Sequence, residues 1–221
     1  MDKLPNQFIE LVETSLLPNL IIKSENEHDP VIVEYVPDEW ILIGKGNYAA
    51  VFYHPLYEGL VVKVYGRSFE EVKKEANVYK KLGKHPAYSQ LYYYTDHYLI
   101  LKRLQGITLY EAVQKRVIIP LTVIDDVNDA LAYAKSRGLN PFDVHGKNVM
   151  MKEGRGYVVD ISDFYKKGID KKWTDLVKAY HKIYVPIIKK YHLAISPSLL
   201  NLTRHVYRLY RKVKNKYKKY V

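Results

Sequence analysis

The chain has 221 residues, with 35 Lys and Arg against 24 Asp and Glu and no cysteine, a length that supports one large domain or two small lobes around a shared cleft. The absence of cysteine excludes a disulfide framework, thiolate zinc sites and cysteine nucleophiles together, and it fits a reducing compartment. No stretch approaches the roughly 18 apolar residues of a membrane span, and the opening Met1-Asp2-Lys3-Leu4-Pro5 has no apolar core, so the expectation is a soluble, cytoplasmic protein.

Residues 5–17 place Phe8, Leu11, Val12 and Leu16 on one side of a short helix, with Pro5 near its start and Pro18 at its end. From Val31 to Tyr65 the pattern becomes extended. VIVEYV, WILIG, AAVFYHP and GLVVKVY read as successive antiparallel strands, punctuated by Gly-Lys-Gly-Asn and Tyr-Glu-Gly. Ser68 is the expected cap of a helix over 69–82, where Phe69, Val72, Ala76 and Tyr79 recur at helical spacing. SQLYYYT and YLILKRL follow as two more strands, separated by Asp96-His97. Beyond Gly106 the chain reads as helices over 108–116, 121–137, about 172–190 and 197–219. One extended segment, 148–162, interrupts them and turns as a hairpin at Glu153-Gly154. With no repeat and no low-complexity linker, a strand-rich part, residues 1–103, leads into a helical part, residues 104–221.

Three places carry chemistry. Gly44, Lys45 and Gly46, with Val51 beyond them, lie between two strands. A dinucleotide-binding glycine fingerprint would open a helix, so this setting fits either a plain tight turn or a hairpin whose N–H groups cover phosphates. Lys63 alternates with apolar neighbours in GLVVKVY, which suits an edge-strand guard or a buried cation facing a polyanion or a carboxylate. Glu70, Glu71 and Glu75 compete to be that carboxylate, unless all three belong to a solvated helix face. The third place is Asp143, followed five residues later by Asn148 and then by Asp160 at the end of YVVD. Two carboxylates and an amide form a hard oxygen-donor set suited to Mg²⁺ and triphosphate, and Asp143 could accept a hydroxyl proton; the same residue types also serve as ordinary turn and strand-end chemistry. His54, His85 and His97 show no metal-ligand spacing and read as loop residues.

In this order the segments resemble the protein-kinase-like superfamily over residues 41–164. ILIGKGNYAAVF resembles its Gly-rich loop, with Ala49 where a third glycine is usual, and VVKVY resembles the strand of the ATP-anchoring lysine. KKEANVYKKLGKHP resembles the helix of the partner glutamate, and YLILKRLQGITLYEAV the hinge. ALAYAKSRGLNPFDVHGKNVMM is similar to the run into the catalytic loop, and VVDISDF to the magnesium-binding strand end. The resemblance implies an α+β, two-lobed fold with an antiparallel-sheet N-lobe and a shortened helical C-lobe. It implies transfer of the γ-phosphoryl group of ATP to a hydroxyl, most simply Ser or Thr on a protein. ATP would be contacted by Gly44, Lys45, Gly46, Val51, Lys63, Glu75 and Leu101, and Mg²⁺ by Asn148 and Asp160. Asp143 would position and deprotonate the acceptor, while Lys147 would neutralise the moving phosphate.

The departures narrow the type. Pro141 and Phe142 replace the usual His and Arg of the catalytic loop, Ile161-Ser162 follows Asp160 instead of Phe-Gly, and no Ala-Pro-Glu comes after. His145 stands where small-molecule phosphotransferases of the superfamily often carry it, so a small-molecule hydroxyl kinase is the alternative, and a catalytically weak nucleotide-binding scaffold is the third reading. With only residues 161–221 beyond Asp160, a conventional activation segment has no room, as in the reduced RIO, Bud32-like and short bacterial serine/threonine-kinase-like proteins.

All 24 acidic residues lie at or before Asp175 with 23 basic ones, leaving 12 Lys and Arg and no acid in the remainder. The run from about 202 to 221 mixes Arg204, Arg208, Arg211, Lys212, Lys214, Lys216, Lys218 and Lys219 with tyrosines. As a helix it is expected to pack Leu202, Val206, Tyr210 and Val213 and to turn its cations outward, to plain solvent, to RNA or to an acidic membrane surface.

Overall fold

The computed structural model describes residues 4–26, 29–67 and 69–217, so the expected cap Ser68 lies outside the described residues. Helix α1, Asn6–Leu11, continues as a π-helical turn, Val12–Leu16. Phe8, Val12 and Leu16 recur every four residues, share one face and are fully buried. They press on one side of a five-stranded antiparallel sheet. Its strands are β3 (Ile41–Lys45), β4 (Ala49–Tyr53), β5 (Leu60–Tyr65), β6 (Leu91–Tyr94) and β7 (Tyr98–Lys102), in the order β3-β4-β5-β7-β6. The expected strand VIVEYV, here β2 (Ile32–Tyr35), is not the neighbour of β3. It pairs with β1, Ile21–Lys23, in a separate two-stranded sheet. Three residues are too few for alternation to show, which is why β1 escaped the sequence reading.

Alternation along the strands divides the apolar side chains between two cores. Ala50, Phe52, Val62, Val64, Tyr98 and Ile100 join α1 and Trp40. Ala49, Val61, Tyr65, Leu99 and Leu101 face the other way, into a core shared with helix α2 (Phe69–Leu82) and with the helices that follow.

After the sheet come β8 (Ile107–Thr108), α3 (Leu109–Gln114) and α4 (Leu121–Ser136). Thr108 and Glu111 form a reciprocal capping box that starts α3. The expected hairpin is β9 (Val149–Lys152) and β10 (Arg155–Val158). It turns at Glu153 and Gly154, whose φ of 51° and 76° suit a two-residue type I′ connection. β8 adds a third strand that the sequence reading had merged into the helix. Gly156 lets β10 lie against α4: a Cβ there would stand 2.5 Å from the Val123 carbonyl. The segment read as one helix over 172–190 is α5 (Lys172–Ala179) followed by a π-helical stretch, Tyr180–Lys189, that contains Pro186. Proline has no N–H to donate, and the widened turn accommodates it.

Tyrosine hydroxyls stitch these pieces together. Tyr88 donates to the Ala130 carbonyl, Tyr133 to Leu82 and Tyr180 to Ile119, while Tyr184 accepts from the Ile119 N–H. The last helix, α6 (Pro197–Tyr217), corrects the sequence expectation. Leu202 and Val206 are exposed, and the half-buried side chains are Leu200 and Tyr207. The Tyr207 hydroxyl donates to the Asp175 carboxylate on α5 at 2.9 Å. The side chains of Tyr210 and Val213 lie outside the described residues. Among the described residues no helix is long and apolar enough to cross a membrane.

Candidate active site

Lys63 is the central cation. It sits in β5 directly between Val51 of β4 and Leu99 of β7, on the face that also carries Val61 and Leu101. That face is interior, which excludes the edge-guard reading. Its ammonium donates to both oxygens of Glu75 on α2, at 2.8 and 2.7 Å, and lies 3.4 Å from Asp160 Oδ1. Glu75 is 1% exposed, and Tyr65 of β5 donates a third hydrogen bond to it. The competition among the three glutamates is therefore settled by geometry. Glu71 takes Lys74 and the Tyr165 hydroxyl, and Glu70 is exposed beside Lys74.

Burial alone would pull the Lys63 ammonium down; Asp160 and Glu75 outweigh it and hold it above the usual lysine range. Burial pushes the Glu75 carboxyl up, against the pull of Lys63. Burial would also raise Asp160, yet the Lys63 charge and the Ser162 N–H, at 3.0 Å from Oδ1, hold it below the ordinary aspartate value. The site thus keeps Asp160 ionised with a partly exposed carboxylate.

Asp160 stands just past β10, whose end is fastened to the segment after α2 by the Val158 N–H to the Ala87 carbonyl at 2.9 Å. Ile161, where the family pattern has Phe, is buried, and so is Phe164, edge-on to Tyr88. Asp163 lies nearby, half-buried. One of its oxygens lies 2.7 Å from the Lys166 ammonium, an ion pair within one turn of chain.

The Asp143 loop is held without the missing His and Arg. Asp143 adopts a left-handed φ of 61°, uncommon for a residue with a side chain and maintained only where surroundings fix it. Its N–H donates to Asp170 Oδ2 at 3.3 Å, and Asp170 Oδ1 accepts from the Lys172 N–H at 2.7 Å. Asn140 donates to the carbonyls of Lys166 and Gly168 at 2.7 and 3.0 Å. Asn148 donates one of its two amide hydrogens to the Asp143 carbonyl at 3.1 Å, tying it to the loop. The Lys172 ammonium reaches Asp143 Oδ1 directly. Lys147, expected to face the reacting phosphate, is exposed, with its ammonium 4.6 Å from the centre of the Tyr110 ring. His145 Nε2 is 3.7 Å from Asp143 Oδ1, too long for a hydrogen bond, while its Nδ1 accepts from the Lys147 N–H. Burial lowers the His145 pKa, Asp143 opposing and Lys172 reinforcing, so the imidazole is neutral at pH 7.

The Gly-rich turn is open. Lys45 is exposed at the end of β3, and Gly46 closes the hairpin by donating to the Ala49 carbonyl at 2.9 Å. A Cβ on Gly44 or Gly46 would meet nothing within 4 Å, and neither glycine has a positive φ. The fold therefore does not require glycine at either place; a group approaching from outside would.

The structure thus gathers Lys63, Glu75 and Asp160 into one contact network and joins Asp143 to Asn148 within one loop. No three His, Asp or Glu among the described residues are grouped to hold a metal alone. An ion held by Asn148 and Asp160 would need phosphate oxygens to complete its shell, which is how Mg²⁺ is usually bound beside nucleotides.

No family model matches the chain. It is 32% identical over 186 residues to the Bacillus subtilis (strain 168) protein named "Putative serine/threonine-protein kinase YrzF", covering 81% of this chain and 85% of that one. The chain belongs to that serine/threonine-kinase-like family. A second relative, the serine/threonine-protein kinase KSP1 of Saccharomyces cerevisiae, is 24% identical over 110 residues, 48% of this chain and 11% of the yeast protein. The mixed α+β architecture, an antiparallel sheet followed by helices, is consistent with a kinase-like fold.

Three residues that contact this candidate site were not among those expected from the sequence: Tyr65 at Glu75, and Asp170 and Lys172 at Asp143. Asp170 could have been found, since an Asp accepting the N–H two residues on is ordinary turn chemistry before a helix. Tyr65 and Lys172 carried no such signal.

Proposed function

We propose that this chain transfers the γ-phosphoryl group of ATP to a Ser or Thr hydroxyl of a protein, as a reduced kinase of the short bacterial type. The observation that carries this reading is the position of Lys63, whose ammonium bridges Glu75 on α2 and Asp160 at the strand end. In this reading the cleft runs between residues 1–103 and 104–221, with the nucleotide against Val51 and Leu101 and under Gly44, Lys45 and Gly46. Lys63 holds the phosphates and Glu75 fixes its direction. Asn148 and Asp160 would hold Mg²⁺, which supplies charge neutralisation on the phosphates. Asp143 orients the acceptor hydroxyl and takes its proton, and Lys172, already at that carboxylate, takes the neutralising part assigned from the sequence to Lys147.

A small-molecule acceptor is the second reading, supported by the neutral His145 beside Asp143. Purified protein with γ-labelled ATP and Mg²⁺, supplied in turn with cell-extract proteins and with metabolite pools, separates the two. Label on protein supports the proposal, label on a small molecule supports the second reading, and no label in either supports a nucleotide-binding scaffold. Asp143→Asn should lower transfer roughly 10²- to 10⁴-fold with little change in nucleotide affinity.

A further inference from the structure

Helix α6 leaves an apolar stripe in solvent. Leu199, Leu202, Val206 and Leu209 are 51%, 58%, 57% and 62% exposed. At about 100° per residue these four fall within a sector roughly 80° wide, and Val213 and Tyr217 extend it along the same line by sequence. The opposite side is the anchored one, through half-buried Leu200 and the Tyr207 bond to Asp175. Separately, Ile183, Ile187, Tyr191 and Leu193 are exposed on the π-helical stretch and the loop before α6. By sequence, Arg204, Arg208, Arg211, Lys212 and Lys214 fall outside the apolar sector, and no acid occurs after Asp175.

We propose that α6 binds this protein to an anionic lipid surface, lying in the plane of the headgroups. The pairing of stripe and charge selects this occupant. RNA would take the cations and the rings but leave an aliphatic stripe in water. A second copy of α6 would cover the stripe only by bringing together two helices that carry no acid, with like-charge repulsion along their length. An anionic membrane satisfies both features: leucines and valines enter the acyl boundary while Lys and Arg stems reach up to the headgroups. The anchored side keeps the helix attached to α5, so the body stays beside the lipid.

The test is co-sedimentation of the full chain with vesicles of phosphatidylcholine alone and of phosphatidylcholine mixed equally with phosphatidylglycerol, with poly(U) binding measured in parallel. The expected result is pelleting only with the mixed vesicles, weakened by added salt. Leu202→Glu with Val206→Glu should reduce vesicle binding about tenfold or more, since it places charge in the acyl boundary. Lys212→Glu with Lys214→Glu and Lys216→Glu should do the same through the charges. Unchanged circular dichroism and thermal midpoint confirm that either variant is folded, and the two variants change different residues, so one suffices if the other is not. Three results would overturn the proposal. They are no pelleting of wild type with mixed vesicles, pelleting indifferent to the Leu202/Val206 pair, and a lipid-free dimer abolished by that pair. Poly(U) retention without vesicle binding would assign the helix to RNA instead.

Discussion

The Lys63–Glu75 pair permits a quantitative test. Glu75→Gln preserves shape but leaves the Lys63 ammonium, whose side chain is 12% exposed, with only Asp160 at 3.4 Å. Breaking one half of a buried pair costs about 3–5 kcal/mol. Because Asp160 remains, the lower end applies, about 3 kcal/mol, or a melting point lower by roughly 6–12 °C in a domain of this size. Lys63→Met strands Glu75 with only the Tyr65 hydroxyl and should cost more at neutral pH. The sign with pH follows from the direction of the shift. A buried carboxyl with its folded pKa raised keeps its proton while the unfolded chain loses it, so stability falls as pH rises above the unfolded value of about 4.3. The deficit of Lys63→Met should therefore widen from pH 5 to pH 8, and that of Glu75→Gln should not. The double variant removes both buried charges and should be at least about 1 kcal/mol more stable than the sum of the single losses predicts. Urea unfolding of the four proteins, followed by circular dichroism at both pH values, measures each quantity. Strict additivity within about 0.5 kcal/mol, or a pH-independent Lys63→Met deficit, would refute the buried ion pair.

Gly46→Ala should leave the melting point unchanged or slightly higher, since its Cβ meets open space, yet weaken ATP binding about tenfold by isothermal titration. Asp170→Asn keeps one acceptor where two N–H groups now converge, and should lower kcat about tenfold with nucleotide affinity intact, as read from steady-state kinetics and titration. His145 has a lowered pKa, so the unfolded chain binds its proton first, and its contribution to stability is constant above about pH 6.5 and is lost below it. His145→Asn should lose less stability than wild type between pH 7 and pH 5, with buried-shifted His85 accounting for part of what remains.

The strands of the large sheet and the helices α2 and α4 were legible because each is long enough for its period to repeat. Helical spacing alone left Glu70, Glu71 and Glu75 open, the resemblance of KKEANVY pointed to Glu75, and the fold pairs that residue with Lys63. What the sequence did not disclose depends on pairing over distance. β1 has three residues, and β8 has two and takes its identity from β9. Lys172 meets Asp143 across 29 positions. The tail shows the limit of periodicity: it announced an amphipathic helix but could not say which flank meets the body, and the contact through Tyr207 turned the expected inner face outward.

The two tryptophans fall in different cores. Trp40, 3% exposed, donates its indole N–H to Ser15 beside α1, whereas Trp173, 8% exposed, donates to Asn128 in the core that sheet and helices share. The molecule thus carries two optical reporters with separate addresses. In single-tryptophan proteins, Trp40 fluorescence follows the outer layer of α1 against the sheet, and Trp173 follows the common core from which Lys63, Glu75 and Asp160 are suspended. Because that core runs from β5 to α4, loosening around Lys63 and Glu75 should register at Trp173, while peeling of the amino-terminal helix should register at Trp40.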